Sequence, residues 1–282
     1  MSERALRAGI RKVRSLRHEQ GAFTERDDEV AVEEPLEIRL AGETFAVTMR
    51  TPGSDQELVA GLLLAEGLIA SRADLGGIAH CGKPGEEGYG NVIDVTAAPG
   101  SAFDPDRART LRRDLPTSSA CGVCGRITID DLLARAGTVD DATRFAPRLL
   151  GELPARLRAE QANFDRTGGL HAAAVSDAEG HLAHVREDVG RHNAVDKSIG
   201  RHLLDGALPL PGRLLVVSGR TSFEIVQKAV SAKLSGVVGV SAPSSLAVDT
   251  ARRFGLLLVG FARGGTYNVY SGEQRLAGRA EK

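Results

Sequence analysis

Leu36-Glu37-Ile38-Arg39-Leu40 alternates apolar and polar residues, breaks at Ala41-Gly42-Glu43, and alternates again through Phe45, Val47 and Met49. Period two on both sides of a turn predicts a β-hairpin with one buried face. The period then lengthens. Leu58, Leu62 and Leu63 recur at helical spacing, with Ser54 and Glu57 at capping-box positions before them and Gly67 after them, which predicts a helix. Asn91 to Thr96 reads as a strand, and Asp130–Ala136 and Pro154–Phe164 read as helices, with Pro154 suited to a first turn. From Ala97 to Arg126 there is little periodicity, and Pro99, Gly100, Pro105, Pro116, Gly122 and Gly125 interrupt the chain. A stretch of that kind inside a compact chain is functional or disordered.

The second half changes character. Leu170–Ser176 and His181–Glu187 flank Asp177-Ala178-Glu179-Gly180 and predict a second hairpin, followed by a helix over Asn193–His202. Strand and helix patterns then alternate strictly: Leu214–Val217, Ser222–Leu234, Val237–Ser241, Ser245–Phe254 and Leu256–Phe261, with Tyr267–Tyr270 as an edge strand. This alternation predicts a mainly parallel sheet covered by helices, so the fold class is α/β. Residues 1–30 read as a flexible basic arm, because Arg4, Arg7, Arg11, Lys12, Arg14 and Arg17 face only Glu3 and Glu19 in the first twenty. The remainder divides into an N-terminal portion, 31–165, and an α/β portion, 166–282.

Composition changes this picture only by exclusion. A net charge of -1, from 36 basic and 37 acidic residues, gives no global pull toward nucleic acid or membranes. No run approaches the roughly 20 apolar residues that span a bilayer, and the charged N-terminus lacks a signal peptide's apolar core. The expectation is a cytoplasmic protein. Three cysteines make an odd count, unlike a disulfide scaffold, and Cys121 and Cys124 form a C-x-x-C pair.

Three strand ends collect polar groups. Ser218-Gly219-Arg220-Thr221-Ser222, with Thr221 and Glu224 at capping-box spacing, ends the first strand. Ser241-Ala242-Pro243-Ser244-Ser245 ends the second and Phe261-Ala262-Arg263-Gly264-Gly265-Thr266 the third. In a parallel sheet these ends lie side by side, where ligands favour the crevice. Helix N-termini there suit phosphate, and Arg220 and Arg263 offer forked donors. Taken singly, each junction is equally a helix cap or a turn; three in register point to a nucleotide-like ligand. Glu187 to Lys197 crowds Glu187, Asp188, Arg191, His192, Asn193, Asp196 and Lys197 into one hairpin-to-helix turn, a mixture typical of a site as well as of a solvated helix start. His171 opens an apolar strand and reads as a core histidine as easily as a ligand.

The cysteine loop admits three chemistries. Zinc needs four ligands, or three and water, and only Cys81 and the histidines remain to complete them. A redox dithiol normally sits at a helix N-terminus, whereas this pair lies among Pro, Gly and Ser. A sulfur carrier needs a thiolate of lowered pKa, which Arg112, Arg113 and Arg126 favour, and a neighbouring thiol to resolve the persulfide. Local chemistry leaves all three open.

In order along the chain, the motifs resemble the FdhD family of formate dehydrogenase accessory sulfurtransferases. The matching segments begin with Thr51-Pro52-Gly53, Glu66-Gly67, Ser119-Ala120-Cys121-Gly122-Val123-Cys124-Gly125 and Thr167-Gly168-Gly169-Leu170-His171. They continue with Glu187 to Lys197, Ser218-Gly219-Arg220, Ser241 to Ala247 and Gly260-Phe261-Ala262-Arg263. The resemblance implies a cytidine deaminase-like three-layer α/β/α sandwich, preceded by the hairpin and helix of the N-terminal portion, and a homodimer. It also implies transfer of sulfur from a cysteine desulfurase to the molybdenum bis(molybdopterin guanine dinucleotide) cofactor of formate dehydrogenase, with no tightly held metal in the chain itself. By position, Cys121 would carry the persulfide and Cys124 would assist. Phe261, Ala262, Arg263, Gly264, Gly265 and Thr266 would contact the guanine nucleotide, with Ser218, Gly219, Arg220, Ser241, Ser244, His192, Asp196 and Lys197 as further cofactor-site candidates. Three alternatives remain, one of them the redox dithiol described above, in which Cys121 and Cys124 cycle as a disulfide with no need of a guanine-nucleotide site. A cofactor chaperone that moves no sulfur would leave both cysteines idle. A zinc deaminase pairs H-x-E with P-C-x-x-C, and here Ala173 and Ala120 replace the Glu and the Pro.

Overall fold

In the computed structural model, residues 9–83, 85–86, 89–104 and 129–278 are described. The chain opens with β1 (Ile10–Glu19) and β2 (Ala22–Ala31), paired antiparallel from Ile10↔Ala31 to Glu19↔Ala22. Most of the region expected to be a flexible arm is therefore an ordered ribbon. Gln20 and Gly21 both have positive φ, the geometry of a two-residue hairpin turn. Arg14–Glu25 bridges the strands, and Arg166 holds Glu29 through two 2.8 Å bonds. Exposed ion pairs add little, so the ten-residue ladder itself carries the ribbon.

Next come β3 (Glu34–Leu40), β4 (Glu43–Arg50), α1 (Asp55–Ala65), β5 (Leu75–His80) and β6 (Val92–Ala97). The strands form one sheet in the order β4-β3-β6-β5. The expected helix is present but not its expected cap: Ser54 is left-handed and makes no side-chain cap bond. Glu57 instead holds Arg186 at 2.5 and 2.9 Å. Strand β5 had no periodic signal, since Gly76 and Gly77 interrupt it.

After α2 (Ile129–Ala136), α3 spans Pro147–Ala159 and α4 Ala162–Thr167. This corrects the helix expected at 154–164: Pro147, not Pro154, sits in the first turn, and Pro154 lies buried inside α3. Then follow β7 (His171–Ser176), β8 (Leu182–Asp188), α5 (Arg191–Leu204), β9 (Leu214–Val217), α6 (Phe223–Ser231), β10 (Gly236–Gly239), α7 (Ser245–Phe254), β11 (Leu257–Arg263) and β12 (Thr266–Ser271). Their sheet runs β12-β11-β10-β9-β7-β8, with β9, β10 and β11 parallel and β7 and β12 antiparallel to them.

Both faces of this sheet are covered, as period two dictates. Leu214 and Val216 face α3 through Leu149, Leu150, Leu153 and Leu157. Leu215 and Val217 face the cluster holding α1, α5, α6 and α7. The result is the expected three-layer α/β/α sandwich. The boundary expected at 165/166 does not divide the packing. Helix α3 belongs to the sheet that follows it, and one apolar cluster joins Leu36, Ile38, Leu58 and Leu63 to Val195, Ile199 and Val226. Each such leucine contributes about 1.5–3 kcal/mol on burial. No helix among the described residues is long and apolar enough to cross a membrane.

Candidate functional site

The carboxyl ends of β9, β10 and β11 open into a cleft of about 600 Å³, a volume that suits a nucleotide-sized ligand. Ser218, Val240, Ala262, Arg263 and Gly264 form one wall. Because β7 runs antiparallel to β9, its first residue, His171, reaches the same edge with Gly168 and Gly169. The opposite wall comes from the α3–α4 corner: Pro154, Ala155, Arg158, Gln161 and Phe164. The strand-end loops are bonded to one another. Thr221 N–H donates to Ala242 (3.2 Å), Ser244 N–H to Thr221 (3.0 Å) and Phe261 N–H to Ser241 (3.2 Å). Gly264 and Gly265, both at positive φ, turn β11 into β12. The turn presses on α3, where a Cβ at Gly151 would meet the Gly265 Cα at 2.8 Å.

The edge is electropositive. Burial holds the His171 imidazole below its ordinary pKa, and Arg191 and Arg220 push it the same way. A neutral imidazole beside two guanidinium groups favours an anion. Helix α5 begins at this edge without a side-chain cap, turning its positive dipole end toward an anion, whereas Glu224 takes an N–H in the first turn of α6. The N-cap of α6 is Ser222, not Thr221, and Ser244 caps α7 through Ala247 N–H.

Of the sequence candidates, Ser218, Ala262, Arg263 and Gly264 line the cleft. Gly219 lies against His171, and Arg220 is exposed beside it. Ser241 and Ser244 contribute backbone groups to the loop bonds above, the Ser244 hydroxyl caps α7, and neither residue lines the cleft, while Gly265 and Thr266 turn the hairpin. Phe261, at positive φ and 41% exposed, stands outside the cleft wall. Cys121 and Cys124 lie outside the described residues. The cleft residues missed in the sequence are those of the α3–α4 corner. Their strand contacts are long-range, and no local pattern marks them.

The Glu187–Lys197 block is a correction. Asp196 and Lys197 do not face the cleft; they are buried at 3% and 2% exposure. Lys197 Nζ bonds Asp188 at 2.7 Å and the Thr51 carbonyl at 2.8 Å. Asp188 also accepts from the N–H of Thr51 and Gly190 and from Asn193 Nδ2. Asp196 accepts both oxygens' bonds from Lys228 at 2.7 and 2.8 Å. Buried charges persist only when paired in this way. The Thr51-Pro52-Gly53 and Glu187–Lys197 motifs thus meet in a brace behind the edge that carries the cleft. His192 also turns inward, its Nε2 3.2 Å from Ser222 Oγ.

Burial lowers the His192 pKa to about 4, with Lys228 and Arg191 adding to the effect, and burial with the nearby His184 does the same at His202. The unfolded chain takes up both protons below about pH 6.5, whereas the folded chain resists until about pH 4. Stability is therefore full above 6.5 and is lost as pH falls through that window. Thermal unfolding recorded across it should show a melting temperature that declines with acid, and His202→Gln should flatten the decline. An unchanged slope in that variant would sink the assignment.

The FdhD/NarQ family pattern matches residues 31–277. A sulfur carrier protein FdhD from Streptomyces avermitilis is 52% identical over 270 residues, covering 94% of this chain and 95% of its own. One from Anaeromyxobacter sp. strain K is 52% identical over 256 residues, 88% of each. The crystal structure of a provisionally named formate dehydrogenase accessory protein from Desulfotalea psychrophila superposes with a TM-score of 0.73 at 24% identity. It covers 95% of this chain and 99% of its own, a likeness of fold. With the matched pattern spanning nearly all the described residues, the chain belongs to the FdhD/NarQ family.

Proposed function

We propose that this protein is a sulfur carrier that bears a persulfide on Cys121 and delivers the sulfur to a molybdenum bis(molybdopterin guanine dinucleotide) cofactor destined for formate dehydrogenase. The observation that carries this reading is the strand-end cleft. It offers nucleotide-sized space, a wall of Ser218, Ala262, Arg263 and Gly264, and a cationic rim in a chain whose relatives are named sulfur carriers. The cofactor is the acceptor; its guanine nucleotide occupies the cleft, and its phosphates face Arg220 and Arg263. The chain works in the cytoplasm as a homodimer.

The chemistry on the protein side is thiol exchange. The Cys121 thiolate attacks the outer sulfur of a cysteine desulfurase persulfide. The donor's S–S bond breaks, the donor cysteine leaves as thiolate, and a new S–S bond forms on Cys121. Cys124 then attacks the inner Cys121 sulfur, closing a Cys121–Cys124 disulfide as hydrosulfide leaves, so the carried sulfur departs reduced.

Incubation with a cysteine desulfurase and cysteine, followed by intact mass measurement, tests the carrier step. One added sulfur atom, removed by reductant, accumulating in Cys124→Ala and absent in Cys121→Ala, is the expected result. No added sulfur, in a chain that still binds guanosine diphosphate, would leave a cofactor chaperone as the better reading.

A further inference from the structure

Gln161 joins α3 to α4 and is only 3% exposed, yet it lines the cleft. Its backbone is fully used: the N–H donates to the Arg158 carbonyl at 3.3 Å, and the carbonyl accepts from Asp165 N–H at 3.0 Å. Its side chain is not. Gln161 occupies the N-cap position of α4 but makes no side-chain cap bond. The first N–H groups of α4 go instead to Glu187, from Asn163 at 2.9 Å and Phe164 at 2.8 Å. Among the described residues the Gln161 amide has no hydrogen-bond partner. Nor is it a sealed orphan like the Thr221 hydroxyl, so its remaining accessible surface opens into the cleft. A nearly buried amide of this kind has bonds to offer, and a ligand edge would take them up.

The surroundings specify that edge. Pro154, Ala155, Leu170 and Phe164 give the Gln161 end of the cleft an apolar lining, and Arg158 lies 4.7 Å over the Phe164 ring. Arg158 is paired with Asp165 at 2.5 Å, so an apolar slot with one amide and a neutralised guanidinium fits a heteroaromatic base rather than a phosphate. We propose that Gln161 reads the Watson–Crick edge of the purine in this cleft, Nε2–H donating to the base O6 and Oε1 accepting from N1–H. The assignment rests on the nucleotide reading of the cleft given above, and it adds the residue that recognises the base.

An amide can turn over, so adenine, with a donor at N6 and an acceptor at N1, is also accepted by Gln161. A carboxylate only accepts. Gln161→Glu should keep guanine, whose N1–H and N2–H both donate, and should repel adenine N1. Gln161→Leu, close in size, removes both bonds. Calorimetric titration of the full-length protein with guanosine diphosphate and adenosine diphosphate is the test, with each variant's melting temperature measured alongside. Gln161→Leu should bind both nucleotides roughly tenfold more weakly, the worth of one to two hydrogen bonds. Gln161→Glu should hold guanosine diphosphate near its original affinity and lose adenosine diphosphate by about tenfold or more. Parent-like affinities in the Leu variant, or an unaltered guanine-to-adenine ratio in the Glu variant, would overturn the role of Gln161 and leave the nucleotide cleft standing. Failure of the parent chain to bind either nucleotide would overturn the cleft reading itself, and this assignment with it.

Discussion

A methyl group at position 200 will remove most of this protein's stability. Helices α1 and α5 cross so closely that an added Cβ on Gly200 would be driven into the Glu57 carbonyl, and one on Gly61 into the Asp196 carbonyl. The obstacles are backbone atoms of the opposing helix, so no side-chain rotation relieves them. Overpacking ordinarily costs about 1–3 kcal/mol where neighbours can yield. Here the helices must separate and expose Leu58, Leu63, Val195 and Ile199, so several kcal/mol are expected, out of the roughly 5–15 a domain holds. Soluble yield and the urea midpoint of Gly200→Ala provide the measurement. A midpoint equal to the parent's would mean that the helices do not cross at these glycines.

The second large effect lies in the brace. Lys197→Met retains most of the volume but leaves Asp188 in the interior without its cation. Breaking a buried pair in this way costs about 3–5 kcal/mol, visible as a lower urea midpoint at an unchanged slope. The surface pair Arg148–Glu152 is the control, since its arginine side chain is 91% exposed. Removing it should leave the midpoint within error. A Lys197→Met midpoint as insensitive as that control would show that the brace adds nothing to the apolar cluster in joining the two halves of the chain.

Much of this architecture was readable in advance where one physical rule acted alone. From Leu214 to Arg263 short β-branched and leucine runs alternate with capped helical patterns, and strand, helix and even the shared strand-end cleft follow from connection rules. The β1–β2 ribbon was not readable in this way. Leu16 and Phe23 share one face and are 62% and 66% exposed, the other face, with Val13 and Val30, is only half-buried, and no apolar alternation distinguishes these strands from a charged tail. Pro154 misled for a different reason: proline favours first turns, but α3 already had Pro147 there and packing held the second proline inside. Asp196 and Lys197 misled because a dense set of charges looks the same in sequence whether it lines a cleft or neutralises itself in the interior. Gln161 gave no signal at all, because what sets it apart is the bond it does not make.

The brace also has a consequence during synthesis. Its bonds join Thr51 to Asp188 and to Lys197, partners 137 and 146 residues apart. Translation at about 5–20 residues per second leaves α1 outside the ribosome for roughly 7–30 seconds before its packing partner α5 is made. Through that interval the leucines of α1 have no finished core to enter. Nascent chains paused after α1 has emerged and before α5 is made should therefore associate with chaperones that hold apolar segments, and should release them once α5 has emerged.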